Sequence, residues 1–199
     1  MVTVEVNKNH LKLIENRLGN LQKSKAVLKK AVNDTAKQAR KELAQEAQKT
    51  YAIKNGKFNK AMKIKQATNS NPTAIISATG GAIELKDFKV SPAGYKTGKQ
   101  RANVIKGKVL KPNGMKALVK GDIKSFIVKF SSGHITVAQR DPHNKMKNNP
   151  KKDALKVLYS PSIPKMIGNE KRVFKTVKPN INKNLMENIN KHIEKVLGG

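Results

Sequence analysis

The chain has 199 residues, of which 37% are apolar and 4% aromatic, with no Trp and no Cys. That size suits one ordinary domain with a lean core of Ile, Val, Leu and Ala. The lack of Cys excludes a disulfide scaffold, a Cys-based zinc site and a thiol nucleophile. With 42 basic against 13 acidic residues, the net charge is +29 and the pI about 10.4.

Positive charge on that scale points first to nucleic acid, because clustered cations displace counterions from phosphate. Its make-up points elsewhere as well. Only five of the basic residues are Arg, and 37 are Lys, a point charge without the bidentate fork that reads phosphate and guanine. Asn is frequent too, at 20 residues. AT-rich codons favour Lys and Asn together, so a solvated surface is the other reading. The opening "MVTVEVNKNHLKLI" has no charged segment leading into a long apolar run, and no stretch reaches 18 apolar residues. Neither a signal peptide nor a membrane helix is expected.

In chain order, "VTVEV" (2–6) alternates valine with polar residues, as a half-buried strand does. "NKNHLKLIENRLGNL" reads as a short helix capped by Asn7 or Asn9, with Leu11, Ile14 and Leu18 on one face and a stop at Gly19-Asn20. From Ser24 to Thr50, Leu28, Val32, Thr35, Ala39, Leu43 and Ala47 form one helical stripe. At 1.5 Å per residue this helix is a rod of about 40 Å. Such a length suits packing against copies of the chain, or lying across its own sheet.

"YAIKNGKFNKAMKIKQAT" (51–68) carries five lysines and no acid, broken at Gly56. Tyr51, Lys54, Lys57, Phe58, Lys60, Lys63 and Lys65 make it a candidate basic contact face, where rings among lysines stack bases on a single strand. In the alternative, the apolar residues simply anchor a solvated face to the core.

From residue 73 the texture becomes short β-branched runs: "TAIISATG", "GAIELKDF", "RANVIKGKVL", "IKSFIVKF" and "HITVAQR". Gly80-Gly81 and Ser131-Ser132-Gly133 are hairpin signals, so an antiparallel meander of four or five strands is expected. "RDPHNKMKNNPKKD" (140–153) reads as a long polar loop. After "VLYSPSIPKMIG" (157–168), the tail is helical from Asn169, with Ile181, Leu185, Ile189, Ile193 and Val196 on one stripe. Pro179 is expected to begin that helix or kink it.

No constellation for catalysis emerges. The four His are scattered, and the carboxylates form no recognisable pair. Glu84 and Asp87 flank a strand without an evident partner for acid–base work. "ATGGA" lacks the Gly-Lys-Ser/Thr of a phosphate loop. No catalytic residue, metal, cofactor or small-molecule substrate is expected, and the chain is read as a non-enzyme.

Several stretches, in order along nearly the whole chain, carry a resemblance: "VLKKAVNDTAKQARKE", "TYAIKNGKFNKAMKIKQAT", "ISATGGAIELKDFKVSP", "FIVKFSSGHITVAQR" and "YSPSIPKMI". Together they resemble the phage minor tail protein Z family, with Leu85, Phe88 and Arg140 at matching places. Ser160 departs from the Gly often found before Pro161, and the loops at 91–101 and 140–153 are richer in lysine.

The resulting expectation is an α+β fold, a long N-terminal helix packed on an antiparallel β-meander with a C-terminal helix. It forms a single domain over 1–199, with helices across 1–68, the sheet across 73–140, and the proline strap and last helix across 157–199. Tyr159, Ser160, Pro161, Ser162, Pro164 and Met166 make up the strap, too proline-rich to extend a sheet or start a helix.

The resemblance implies a virion protein that completes the tail at its head-proximal end and mediates head–tail joining. The implied partners are copies of itself in a ring, for which a hexamer is one count, and neighbouring tail and connector proteins. DNA proximity in the lumen, assembly in the bacterial host cytoplasm and no membrane contact complete the expectation. Two alternatives stand beside it: a lysine-rich nucleic-acid-binding protein, and a tail terminator or tail-tube protein.

Overall fold

A computed structural model describes residues 2–6, 8–54 and 56–198. The chain is α+β, with a long N-terminal helix, antiparallel sheets and a C-terminal helix. It divides into two compact units. One comprises residues 1–47, 57–80 and 163–199, and the other residues 48–56 and 81–162.

The first unit contains β1 (Val2–Val4), α1 (Lys8–Leu18), α2 (Leu21–Thr50, its last three residues belonging to the second unit), α3 (Phe58–Ala61), β2 (Met62–Lys65) and β3 (Ala74–Ala78). After the excursion through the second unit, α4 (Ile163–Ile167) and α5 (Lys175–Leu197) complete it. Asn9 lies inside α1 and does not cap it; Asn7 falls outside the described residues. Gly19, at φ 58°, takes the left-handed conformation that ends α1. Asn20 then caps α2, its Oδ1 accepting from the Lys23 N–H at 2.9 Å.

All six residues of the expected α2 stripe are buried, and so are Ile181, Leu185, Ile189 and Ile193 of α5. Burying a Leu or Ile stabilises by about 1.5–3 kcal/mol, so these faces carry much of the unit's stability. The sheet runs β1-β3-β2, all antiparallel, with Val2 opposite Ile76 and Met62 opposite Ala78. Leu43 of α2 and Ile167 of α4 line a small crevice with Val2, Met62 and Ile76. Asn33, on α2, clasps the β2–β3 connection by donating to Ala67 O and accepting from Ala67 N–H.

Between α2 and α5 runs a polar seam. Asn180 and Asn184 donate to Glu42, Asn188 donates to Thr35 and Gln38, and His192 meets Asp34 at 2.9 Å. The four α5 residues are spaced by four, and their α2 partners descend in number, so the helices lie antiparallel. α5 follows a wide π turn, Glu170–Phe174, which opens on Asn169 accepting from the Arg172 N–H at 3.0 Å. Pro179 sits inside α5, where its missing N–H leaves the Lys175 carbonyl without an i,i+4 donor.

The second unit is β-rich: β4 (Ile83–Glu84), β5 (Lys89–Ser91), β6 (Lys106–Lys108), β7 (Lys116–Ala117), β8 (Val119–Lys120), β9 (Ile123–Lys129), β10 (Ile135–Met146), β11 (Asn149–Val157) and β12 (Tyr159–Ser160). β8 to β11 form an antiparallel meander, and β5-β6-β7 a separate sheet. Gly133, at φ 83°, closes the expected β9–β10 hairpin.

Two expectations need correction. Gly80-Gly81 closes no hairpin: β3 is flanked on both edges by β1 and β2, so β4 pairs instead with β12. Residues 140–153 are not a loop. They form the distal ribbon of β10 and β11, with Arg140 opposite Leu155 and Met146 opposite Asn149. Among the described residues, no helix is long and apolar enough to cross a membrane.

Candidate functional site

The proline stretch divides between the units. In the second, Tyr159 pairs with Glu84 and Ser160 with Ile83, while Leu158 N–H donates to Val137 O at 2.9 Å. The segment therefore does add a short strand, contrary to expectation, because both Tyr159 and Ser160 keep their N–H groups and Pro161 comes just after them. In the first unit, Pro164 is the second residue of α4, where a helix leaves its N–H unused, so the proline is tolerated there. Met166 and Ile167 are buried, whereas Tyr159 is 58% exposed and Pro161 is exposed. Ser162 is half-buried, and the buried Ser160 Oγ has no hydrogen-bond partner among the described residues.

The residues of the candidate basic face divide between the two units. Tyr51 is 4% exposed and bridged to Leu110, and Phe58 is 1% exposed, so neither ring can stack on a base. This corrects their place in a contact surface; they anchor it instead. Lys57, Lys60, Lys63 and Lys65 are exposed in the first unit, the last two on the outward face of β2. Lys54 belongs to the second unit.

There Lys54 joins three lysines from distant stretches of the sequence. A groove of about 450 Å³ is lined by Ala52, Ile53, Lys54, Lys89, Lys108 and Lys111. Its walls are tied by backbone bonds: Ala52 N–H to Val109 O, Lys54 N–H to Asp87 O, and Lys111 N–H to Thr50 O, each 2.8–2.9 Å. The Lys54 ammonium donates to Lys86 O at 3.1 Å, and that of Lys108 to Lys111 O at 2.7 Å. Carbonyls orient these two cations without cancelling their charge. Separation in sequence hid this cluster, since only the β5–β6 pairing brings Lys89 beside Lys108.

A second cluster gives Glu84 the partners that its sequence neighbourhood lacks. His134 Nε2 lies 3.1 Å from Glu84 Oε1, and the Lys86 ammonium is 3.3 Å from Glu84 Oε2 and 3.3 Å from His134 Nδ1. Lys86 only donates, so Nδ1 accepts and Nε2 donates to Glu84. Phe130 stacks on the imidazole with centroids 6.1 Å apart. Burial pushes the Glu84 carboxyl up, but hydrogen bonding and the charge of Lys86 outweigh it and hold the group below the ordinary carboxylate range. Both imidazole nitrogens are committed to these neighbours, which leaves none to activate a nucleophile. Among the described residues, no group of three or more His, Asp or Glu is placed to hold a metal ion.

The second unit thus carries a groove lined by four lysines and an ion cluster around Glu84. Comparison with curated proteins and with solved structures returned no match. The family model described as prophage minor tail protein Z (GPZ) matches residues 11–198, which span both units, and the chain belongs to that family of structural phage tail proteins.

Proposed function

We propose that this tail protein works at the head-proximal end of the tail, where it completes the tail and joins it to the head. It assembles in the host cytoplasm as a ring of identical subunits and docks to neighbouring tail and connector proteins, with DNA passing close to the lumen. The role is mechanical, and no reaction is assigned to it.

The observation that carries the reading is the ribbon of β10 and β11. Among the described residues, β9 pairs with residues 135–139 of β10 and no third strand joins the ribbon beyond Arg140. A two-stranded ribbon is marginal alone in water, so a neighbouring chain packed on it would stabilise it. Ring closure needs two different patches on each subunit, and an arm that reaches for a different surface of its neighbour supplies one of them. Native mass spectrometry and sedimentation of the purified chain, alone and with tail and connector proteins, test the proposal. A closed oligomer is expected in at least one mixture. A chain that stays monomeric in all of them overturns it.

A further inference from the structure

We propose that the four-lysine groove of the second unit is a docking site for an acidic segment of a different polypeptide. This deepens the docking reading above by naming the chemistry of one partner. Lys89 and Lys108 are directly opposite each other across the β5–β6 pair, an arrangement of like charges that weakens a sheet. Lys54 and Lys111 bring two more cations to the same concavity. With 13 carboxylates for 37 lysines, pairs such as Lys86–Glu84 and Lys145–Asp153 are the exception. Among the described residues, none of the four groove lysines has such a pair. A concave site lined by one sign of charge focuses its field on a ligand of the other sign.

Three features select the occupant. Ala52 and Ile53 give the groove apolar wall, which suits a segment that interleaves acidic and apolar residues. Nucleic acid is less well served: the lining has no Arg fork for phosphate, and the ring of nearby Tyr51 is buried. A second copy of this chain is a poor donor, because no two acidic residues lie within two positions of each other in its sequence, as an acidic–apolar alternation requires, and its net charge is +29. The backbone bonds across the groove hold it open before a partner arrives, which lowers the entropic cost of binding.

The test uses the full chain and a fluorescent eight-residue peptide of alternating glutamate and valine, followed by anisotropy at low and high salt. Binding is expected at low salt and should weaken as salt rises. The pair Lys89→Glu and Lys111→Glu should weaken it by about tenfold or more, since close charge pairs at an interface carry that much coupling. Lys191→Glu with Lys195→Glu, exposed on α5 of the first unit, makes the same change in net charge and should alter binding by less than about threefold. Should the groove reversal impair folding, judged by thermal unfolding, Lys89→Gln with Lys111→Gln takes its place. Equal losses from both pairs overturn the proposal, as does absence of peptide binding at low salt. A single-stranded oligonucleotide of equal charge that binds more tightly, and is released by the same groove reversal, overturns it in favour of nucleic acid. An oligomeric chain that ignores the peptide removes the groove and leaves ring assembly standing; a monomeric chain that binds it does the reverse.

Discussion

The side-chain amide of Asn188 donates to Thr35 Oγ1 across 3.0 Å, joining α5 to α2 inside the first unit with both residues buried. Thr35 passes the bond on to Ala31 O at 2.8 Å, and the Asn188 amide also reaches Gln38 Oε1 at 2.9 Å. Cutting such a chain at one member strands the others. Asn188→Ala should therefore cost about 1–3 kcal/mol, the desolvation of partners left unpaired. Asn188→Leu combined with Thr35→Val removes donor and acceptor together and should cost distinctly less. Urea unfolding of the two variants checks the order. If the double variant is the less stable, the seam owes its strength to something other than mutual satisfaction.

That seam also marks how far the sequence could be read. The apolar stripes of α2 and α5 were legible because burial repeats every three or four residues along one segment. Asn180, Asn184, Asn188 and His192 repeat at the same interval, yet polar residues at that spacing look like a solvated face until a facing helix supplies Glu42, Gln38 and Asp34. Pairings between distant strands were hidden for a different reason. β4 finds β12 some 75 residues later, and nothing local in "GAIELKDF" specifies that choice. In the sequence, the distal ribbon of β10 and β11 resembles a loop because both its faces meet water. Without a buried side, period-two alternation has no cause. The groove lysines were legible one by one and never as a set.

Glu84 provides a pH dependence with a definite sign. Its folded carboxyl lies below the ordinary value of 4.5, so the fold favours the ionised form. The resulting stability is complete above 4.5 and is lost as pH falls through the lower folded value. Glu84→Gln should destabilise the chain at neutral pH by about 1 kcal/mol or less, given a partly solvated site, and should flatten the acid limb below 4.5. Asp34, lowered from 3.8 because hydrogen bonds from His192 and Lys37 outweigh its burial, adds a loss of the same sign below 3.8. Urea midpoints between about pH 6 and pH 2 measure both. An unchanged acid limb in the Gln variant would assign it to other carboxylates.

Charge makes a prediction about assembly. Subunits of net charge +29 repel one another, and a ring of them must be held together despite that. Raising salt from about 0.1 M to 1 M shortens the screening length from about 10 Å to 3 Å. Self-association of the isolated chain should accordingly increase with salt, whereas complexes with acidic partners should weaken. Sedimentation velocity at the two ionic strengths separates the two cases. Self-association that falls with salt would mean that subunits meet through opposite charges after all.

Arg140 holds the point where the ribbon leaves its sheet. Its guanidinium lies over the Phe126 ring, 5.6 Å from the centroid, and donates to Asp153 O at 2.7 Å and to Met146 Sδ at 3.6 Å. One planar cation thus ties β9, β10 and β11 together just where β9 ends its pairing. Arg140→Lys keeps the charge but loses the planar fork that reaches Asp153 O, Met146 Sδ and the Phe126 ring together. Both that variant and Arg140→Ala should accelerate amide exchange in residues 145–153 by about tenfold, since about 1.4 kcal/mol of lost local stability is a factor of ten in opening. Exchange in the β9–β10 pair at 135–139 should change little, because Val137 and Ala138 remain buried. If the ribbon opens only in the Ala variant, charge alone holds it and the stacking geometry is dispensable. If neither variant opens it, the ribbon is held by its own ladder and by the Lys145–Asp153 pair, and Arg140 is not its hinge.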